Sequence, residues 1–465
     1  MTQSDPTAGS AGVTFDGELL LREDDGFEAA RIERVFNRRM PGRQPAAVLK
    51  VGSEADVVRG VRLAKERGWK VAVRSGGHSW PQWSIREDAL VLDLAALCDL
   101  GYDEATGVAW AGPATKGGGV LSPFLESIGR FFPGGHCPTV GIGGFLLQGG
   151  QGWNARGRGW AAEYIVGIDV VTADGELVHA DAEENADLFW AARGAGPGFF
   201  GVVTKFYLQT IDPPGHYAET LHVYPLAEYD TVFTWLQRMH HDLDWCVELV
   251  AVTKTDPEFG SEPVIVVSAL ALADDVAHAE RALAPFRECP ALDRALLVVD
   301  NREADLAEHR ARQLVANPEG HRWVVDNAWL DGTPEQVVEA ARTAFTELPG
   351  DLAFTIWFSM APLRPLPDMA FSLQSDIYLA SYVVWQDPAL DEAHTGFIER
   401  AFTDLQPVTV GQYLGDGDLS RRQVKFMADE NWARLQQIRA ERDPDNLFVG
   451  YLAGEGGATN RNHWE

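Results

Sequence analysis

Two stretches, Arg74-Ser75-Gly76-Gly77-His78-Ser79 and Pro133-Gly134-Gly135-His136-Cys137-Pro138-Thr139-Val140-Gly141-Ile142-Gly143-Gly144, decide how this sequence is to be folded. In each, paired glycines permit backbone conformations and close approaches that a Cβ would block. Their backbone N–H groups suit an anion-binding nest of the kind that holds a pyrophosphate. Each stretch also carries one nucleophile, His78 in the first and Cys137 in the second. Singly, such a His is usually a surface or hydrogen-bonding residue and such a Cys a small buried hydrophobe. Two glycine nests with one nucleophile apiece are far harder to produce by chance.

Working outward, residues 45–51 read as a strand. Ser53 caps a helix running to Arg67, with Asp56 in the capping-box position. Residues 70–74 form the next strand and deliver the chain into the first glycine loop. Strands follow at 89–94 and 108–111. The glycine-dense passage 134–159 is too costly for a helix or strand interior and is expected to wrap on something. Residues 165–173 and 176–180 flank Asp174-Gly175 as a hairpin, and 201–210 is a further strand. Ile211-Asp212-Pro213-Pro214-Gly215 breaks the pattern, since paired prolines cannot continue a central strand. Beyond it, strands at 263–271, 322–330, 352–360 and 376–385 mix with helices at 274–286 and 333–347, as in an α+β domain with an antiparallel sheet. A last helix spans 423–441 and stops at Asp443-Pro444.

Composition narrows the function. The chain has 465 residues, 46% hydrophobic and 23% charged, enough for two or three cores without staples. Its formal net charge of -29 opposes nucleic acid and anionic membranes as partners. The acidic residues are spread along the chain, as in a solubility or high-salt adaptation. Four scattered cysteines form neither a disulfide framework nor a metal ribbon, so no metal is expected. The polar segment Met1–Gly12 looks disordered, lacks a leader pattern, and no stretch is long and apolar enough to span a bilayer, so a cytoplasmic protein is expected. Gly196-x-Gly198-x-x-Gly201 and Gly157-x-Gly159-x-x-Ala162 match a dinucleotide fingerprint, yet each precedes a strand where that fingerprint needs a helix. No Walker loop, zincin motif or hydrolase nucleophile elbow occurs.

The ordered set RSGGHSW (74–80), CPTVGIGG (137–144), QGGQGW (148–153), Asp174-Gly175, FGVVTKF (200–206) and DPDNLF (443–448) resembles the berberine-bridge-enzyme-like oxidases of the vanillyl-alcohol-oxidase superfamily, with PCMH-type FAD-binding domains, over essentially the whole chain. The resemblance implies FAD held covalently twice, through the imidazole of His78 to the flavin 8α-methyl and through the sulfur of Cys137 to ring carbon six. It implies that Arg74, Ser75, Gly76, Gly77 and Ser79, with Thr139, Gly141, Gly143 and Gly144, hold the pyrophosphate. Gly149 and Gly152 would complete the cradle, Val202 and Val203 would pass the adenine half, and Asn446 would lie near the ring system. The implied fold is α+β: a two-part FAD-binding domain, 1–212 and 411–465, around an inserted substrate domain, 213–410, whose helix-covered antiparallel sheet roofs the flavin.

Departures from the family pattern fall on the substrate side. A tyrosine often found at the active site is Arg158 here, a histidine is Phe145, and a Tyr-x-Asn-Tyr signature is reduced to Tyr413-Leu414-Gly415-Asp416. Hydride transfer from carbon to flavin is helped by a base that takes the O–H or N–H proton. Tyr413 is the first candidate, with Asp416 and Asp376 in reserve, each Asp being more readily read as a solvated surface carboxylate. Gly135, two positions before the cysteine, is expected to leave room for O₂ above the flavin. An oxidase of alcohols, sugars or amines that releases H₂O₂ is thus expected. A secondary-metabolite tailoring oxidase and a flavin-loaded protein with little catalysis are the competing readings.

Overall fold

A computed structural model describes residues 14–453 and 457–464; the polar start at Met1–Gly12 lies outside them. The described residues build three sheets. In the first, Glu18–Leu21, Ala47–Lys50, Ala89–Asp93 and Lys70–Arg74 lie side by side in that order, the last three parallel. The helix Glu54–Arg67 makes the crossover that parallel strands require. Ser53 caps it by accepting from the Asp56 N–H, and Gly68 ends it in the left-handed region. The Asp56 carboxylate does not close a capping box. It is buried and accepts instead from the N–H groups of Asp16, Gly17 and Gly52, pinning the preceding chain to the helix start.

The second sheet has five antiparallel strands in the order Leu100–Asp103, Val108–Ala111, Val202–Gln209, Ile165–Val171 and Leu177–Ala180, with the Asp174-Gly175 hairpin at one edge. The third has eight: Leu297–Glu303, His216–Pro225, Pro263–Ala273, Val247–Thr255, Phe354–Ser359, Ile377–Trp385, Arg322–Leu330 and Thr409–Gly411. Its pleat sorts side chains by alternation. Leu249, Ala251, Val267 and Ala269 face a core shared with the helices Tyr229–Met239, Val276–Leu283, Pro334–Thr346 and Asp391–Asp404. Their neighbours Val250, Val252, Val266 and Ser268 face a cavity between this sheet and the other two. Both faces are apolar, as expected of a sheet covered on both sides. After the eight-stranded sheet the chain returns to the first one, where Val71 donates to Leu447 and accepts from Val449. Among the described residues no helix is long and apolar enough to cross a membrane.

Two local expectations need correction. The passage 134–159 contains two short helices, Ile142–Leu147 and Ala155–Arg158. Burial of Ile142 and Leu146, one turn apart, outweighs the cost of the glycines between them. The last helix begins at Asp429, not near 423. Upstream, the N–H groups of Lys425, Phe426 and Met427 are claimed by the side chains of Asn462 and Asn460, which hold that segment extended.

Candidate functional site

The two glycine stretches come together across one cavity of about 970 Å³. Their contact is backbone on backbone. A Cβ on Gly76 would lie 2.6 Å from the Gly141 nitrogen, and one on Gly77, whose φ is +77°, would lie 1.6 Å from the Arg34 carbonyl oxygen. Glycine is therefore required at both positions. Ser75, Gly76, Gly77, His78, Ser79, Cys137, Gly141, Gly143 and Gly144 all line the cavity. A Cβ on Gly144 would meet nothing within 4 Å, which marks open space on the cradle side. The nest is smaller than the sequence suggested, because the N–H of Ile142 donates to Thr115 and that of Gly143 to Pro113.

His78 stacks on Phe36 with ring centroids 4.3 Å apart. Burial, with Lys116 nearby, pushes its imidazolium down to about 4, so at neutral pH the ring is uncharged and a nitrogen lone pair is free to attack. Cys137 is half-buried, its Sγ 3.4 Å from Thr139 Oγ1. Both nucleophiles thus face the same space from opposite glycine loops.

Several expected cradle residues stand elsewhere. Arg74 borders the cavity, but its guanidinium turns inward, pairing with Asp93 at 2.9 Å and donating to the carbonyls of Ala30 and Arg31. Thr139 is not on the cavity wall, but its hydroxyl meets the Cys137 thiol and its backbone hydrogen-bonds His78. Gly149 packs on Phe371, and Gly152 backs onto the Pro133 carbonyl, where a Cβ would lie 2.0 Å away. Val203 lines the cavity, whereas strand alternation turns Val202 into the core. Asn446 is exposed in a left-handed turn outside the cavity. Gly135 does line it, and a Cβ there would lie 3.1 Å from the Phe145 ring. Arg158 points away, its guanidinium donating to the Leu272 carbonyl and lying over Trp245.

Of the three candidate bases, Tyr413 and Asp416 line the cavity and Asp376 does not. Asp376 sits just before the strand Ile377–Trp385 in a separate hollow, 3.9 Å from His241; strand alternation would have put it on the face of Tyr378, but the chain is not yet in the strand at 376. The turn bearing Tyr413 is held by Asn327, which accepts from the Tyr413 N–H at 2.7 Å and donates to its carbonyl at 2.8 Å. The Tyr413 hydroxyl accepts from the N–H of Gly150 (3.2 Å) and Gln151 (3.4 Å). Burial, reinforced by Asp416, pushes that phenol far up, so it stays protonated at neutral pH. Asp416 accepts from Trp80 Nε1 at 2.8 Å and from the Tyr378 hydroxyl at 2.5 Å. Burial beside Asp416 also raises the phenols of Tyr378 and Tyr382 well above the ordinary range.

Sequence reasoning missed Tyr378 and Tyr382, although they are four apart on a recognised strand and so share a face. It also missed a second polar pair, His136 with Glu248 at 3.0 Å, in which Glu248 further accepts from the Asn154 N–H and the imidazole packs on Trp153.

With that geometry in hand, likeness to known proteins carries weight. Residues 45–181 match the model of an FAD binding domain. FAD-linked oxidoreductase ptmO of Penicillium ochrochloron is 34% identical over 428 residues, 91% of this chain and 94% of that protein. The (R)-6-hydroxynicotine oxidase of Paenarthrobacter nicotinovorans is 34% identical over 206 residues, 43% of each chain. Among solved structures, 6-hydroxy-D-nicotine oxidase from Arthrobacter nicotinovorans superposes with a TM-score of 0.83 at 22% identity, over 96% of this chain and all (100%) of the other. Physcomitrella patens BBE-like 1 does so with 0.80 at 21%, over 96% and 98%.

Proposed function

Because this chain belongs to the FAD-linked oxidoreductases of the berberine-bridge-enzyme-like, PCMH-type family, we propose that it is an oxidase whose FAD is bonded to both His78 and Cys137 and whose Asp416–Tyr378 pair accepts the substrate proton. One observation carries this: His78, Cys137, Asp416 and Tyr378 all line the same cavity. What the cofactor supplies when bound is a two-electron acceptor for the hydride of a substrate C–H bond, with the electrons passed on to O₂ to give H₂O₂.

The protein's own groups do the rest. A neutral His78 and the Cys137 thiol offer one nucleophile from each loop, and the glycines at 76, 77 and 141 let the two loops close without side chains between them. Asp416, an acceptor for Trp80 and Tyr378, is oriented toward a hydroxyl or amine that replaces or follows Tyr378 in its hydrogen bonding. The proton of a substrate O–H passes to the carboxylate directly, or to Tyr378 oxygen as the Tyr378 proton moves to Asp416; either way one proton leaves the substrate as one hydride does. Tyr413, protonated and fixed by two backbone donors, is better suited to shaping the floor than to accepting that proton.

Two measurements test this. Acid-precipitated protein keeps its yellow colour, and a peptide digest carries flavin on both the His78 and Cys137 peptides. Anaerobic mixing with a panel of alcohols, sugars and amines bleaches the flavin with at least one donor, and air then restores it with release of peroxide. A colourless pellet removes the double linkage; reoxidation by air that takes minutes or longer replaces the oxidase with a dehydrogenase.

A further inference from the structure

We infer that the substrate is a bulky lipophilic molecule carrying a single oxidisable polar group, and not a sugar; the inference rests on the oxidase reading above. The roof of the cavity is the inner face of the eight-stranded sheet. From its central strands it presents Val250, Val252, Val266, Leu270, Ile356 and Phe358, with Ser268 among them. A sugar ring carries hydroxyls around its whole edge, and each one desolvated against such a surface without a partner costs free energy. A hydrocarbon scaffold gains from the same contact.

The charged groups Glu248, Lys254 and Arg312 around this roof are already engaged. Glu248 is held by His136 and the Asn154 N–H at one side. Toward the mouth, Lys254 pairs with Asp256 at 2.8 Å, and Arg312 with Glu219 at 3.0 Å. Asp416 with Tyr378 is the polar point where a reacting group would be read.

A second observation, independent of the roof, lies at the rim. Val315, at the end of the helix Leu306–Ala316, is 82% exposed, and Leu352, just before the strand Phe354–Ser359, is 50% exposed. Both line the cavity. Apolar side chains this open at the mouth of the cavity give an apolar ligand a first contact on its way to the roof.

The test is an anaerobic titration of the flavin-loaded enzyme with testosterone and cyclododecanol on one arm, and xylobiose and glucose on the other, following the flavin absorption bands. The lipophilic probes are expected to shift or bleach the flavin with half-saturation roughly tenfold or more below that of the sugars. Ile356→Asn, in the roof, and Val315→Ser, on the exposed rim where folding is not at stake, are each expected to raise the lipophilic half-saturation, the former by about tenfold. Equal or tighter response to the sugars, no response to either lipophilic probe, or unchanged titrations in both variants would overturn the inference. Failure of the oxidase reading is distinguishable: the lipophilic probes would still perturb the flavin bands at lower concentration than the sugars, while either no donor bleached the flavin or air restored it only over minutes or longer.

Discussion

Asp416→Asn is the most informative single change, because it alters a proton acceptor while leaving its surroundings nearly intact. In the native site one carboxylate oxygen takes the Trp80 indole N–H at 2.8 Å and the other takes the Tyr378 hydroxyl at 2.5 Å. An asparagine keeps its oxygen on Trp80 and offers its NH₂ to the Tyr378 oxygen, but the buried Tyr378 O–H then loses its acceptor, a cost of about 1–3 kcal/mol that lowers the melting temperature without abolishing folding. Tyr378 can then no longer hand a proton on. Removal of a positioned base costs roughly 10²–10⁴ in rate, or about 2.7–5.4 kcal/mol at 1.36 kcal/mol per factor of ten. The assay is anaerobic stopped-flow reduction of the flavin by whichever donor bleaches the wild type, with the melting temperature as a control on folding. Tyr378→Phe should lose part of the same rate. A reduction rate within about threefold of wild type for Asp416→Asn, alongside a large loss for Tyr413→Phe, would return the base to Tyr413 and refute the assignment.

Three further outcomes are expected. His78→Ala and Cys137→Ala should each leave one flavin link, and the double variant should release FAD on denaturation, as read by peptide mass. Gly77→Ala should destabilise the protein by at least about 2 kcal/mol and weaken FAD retention, since its φ of +77° and a Cβ 1.6 Å from the Arg34 oxygen combine strain with collision, a loss visible in denaturant unfolding. Stability should fall as pH drops from about 6.5 toward about 3: His240, bonded to Ser359 at 3.1 Å, is pushed down to about 3 by burial, so the unfolded chain binds its proton first. Glu219, held as a carboxylate by His309, Arg312 and Arg302, adds loss of the same sign below its ordinary value near 4.5. His240→Asn should flatten the upper part of a melting-temperature profile taken across that range.

Much of the fold was legible because its signals are local. Ser53 and Gly68 bracket a helix by capping chemistry, Asp174-Gly175 forces a hairpin, and the prolines after Ile211 stop a strand. Half of the eight-stranded sheet was recognised; His216–Pro225, Val247–Thr255, Leu297–Glu303 and the short Thr409–Gly411 were not. Continuous apolar runs such as Val264-Ile265-Val266-Val267 show a strand buried on both faces but do not say which side meets helices and which meets a cavity.

That ambiguity explains where the site was and was not foreseen. Glycine pairs and their neighbouring nucleophiles are determined by sequence alone, since the backbone freedom and the chemistry sit in adjacent residues. Arg74 lies next to that motif, yet its guanidinium was claimed by Asp93, a partner supplied only by the parallel pairing of two strands. Asp376 and Tyr378 are two residues apart, and the end of a strand sends one to a separate hollow and the other to Asp416. Only the tertiary structure decides such cases, because strand register and the face that each sheet turns to the cavity arise from contacts between residues far apart in the chain.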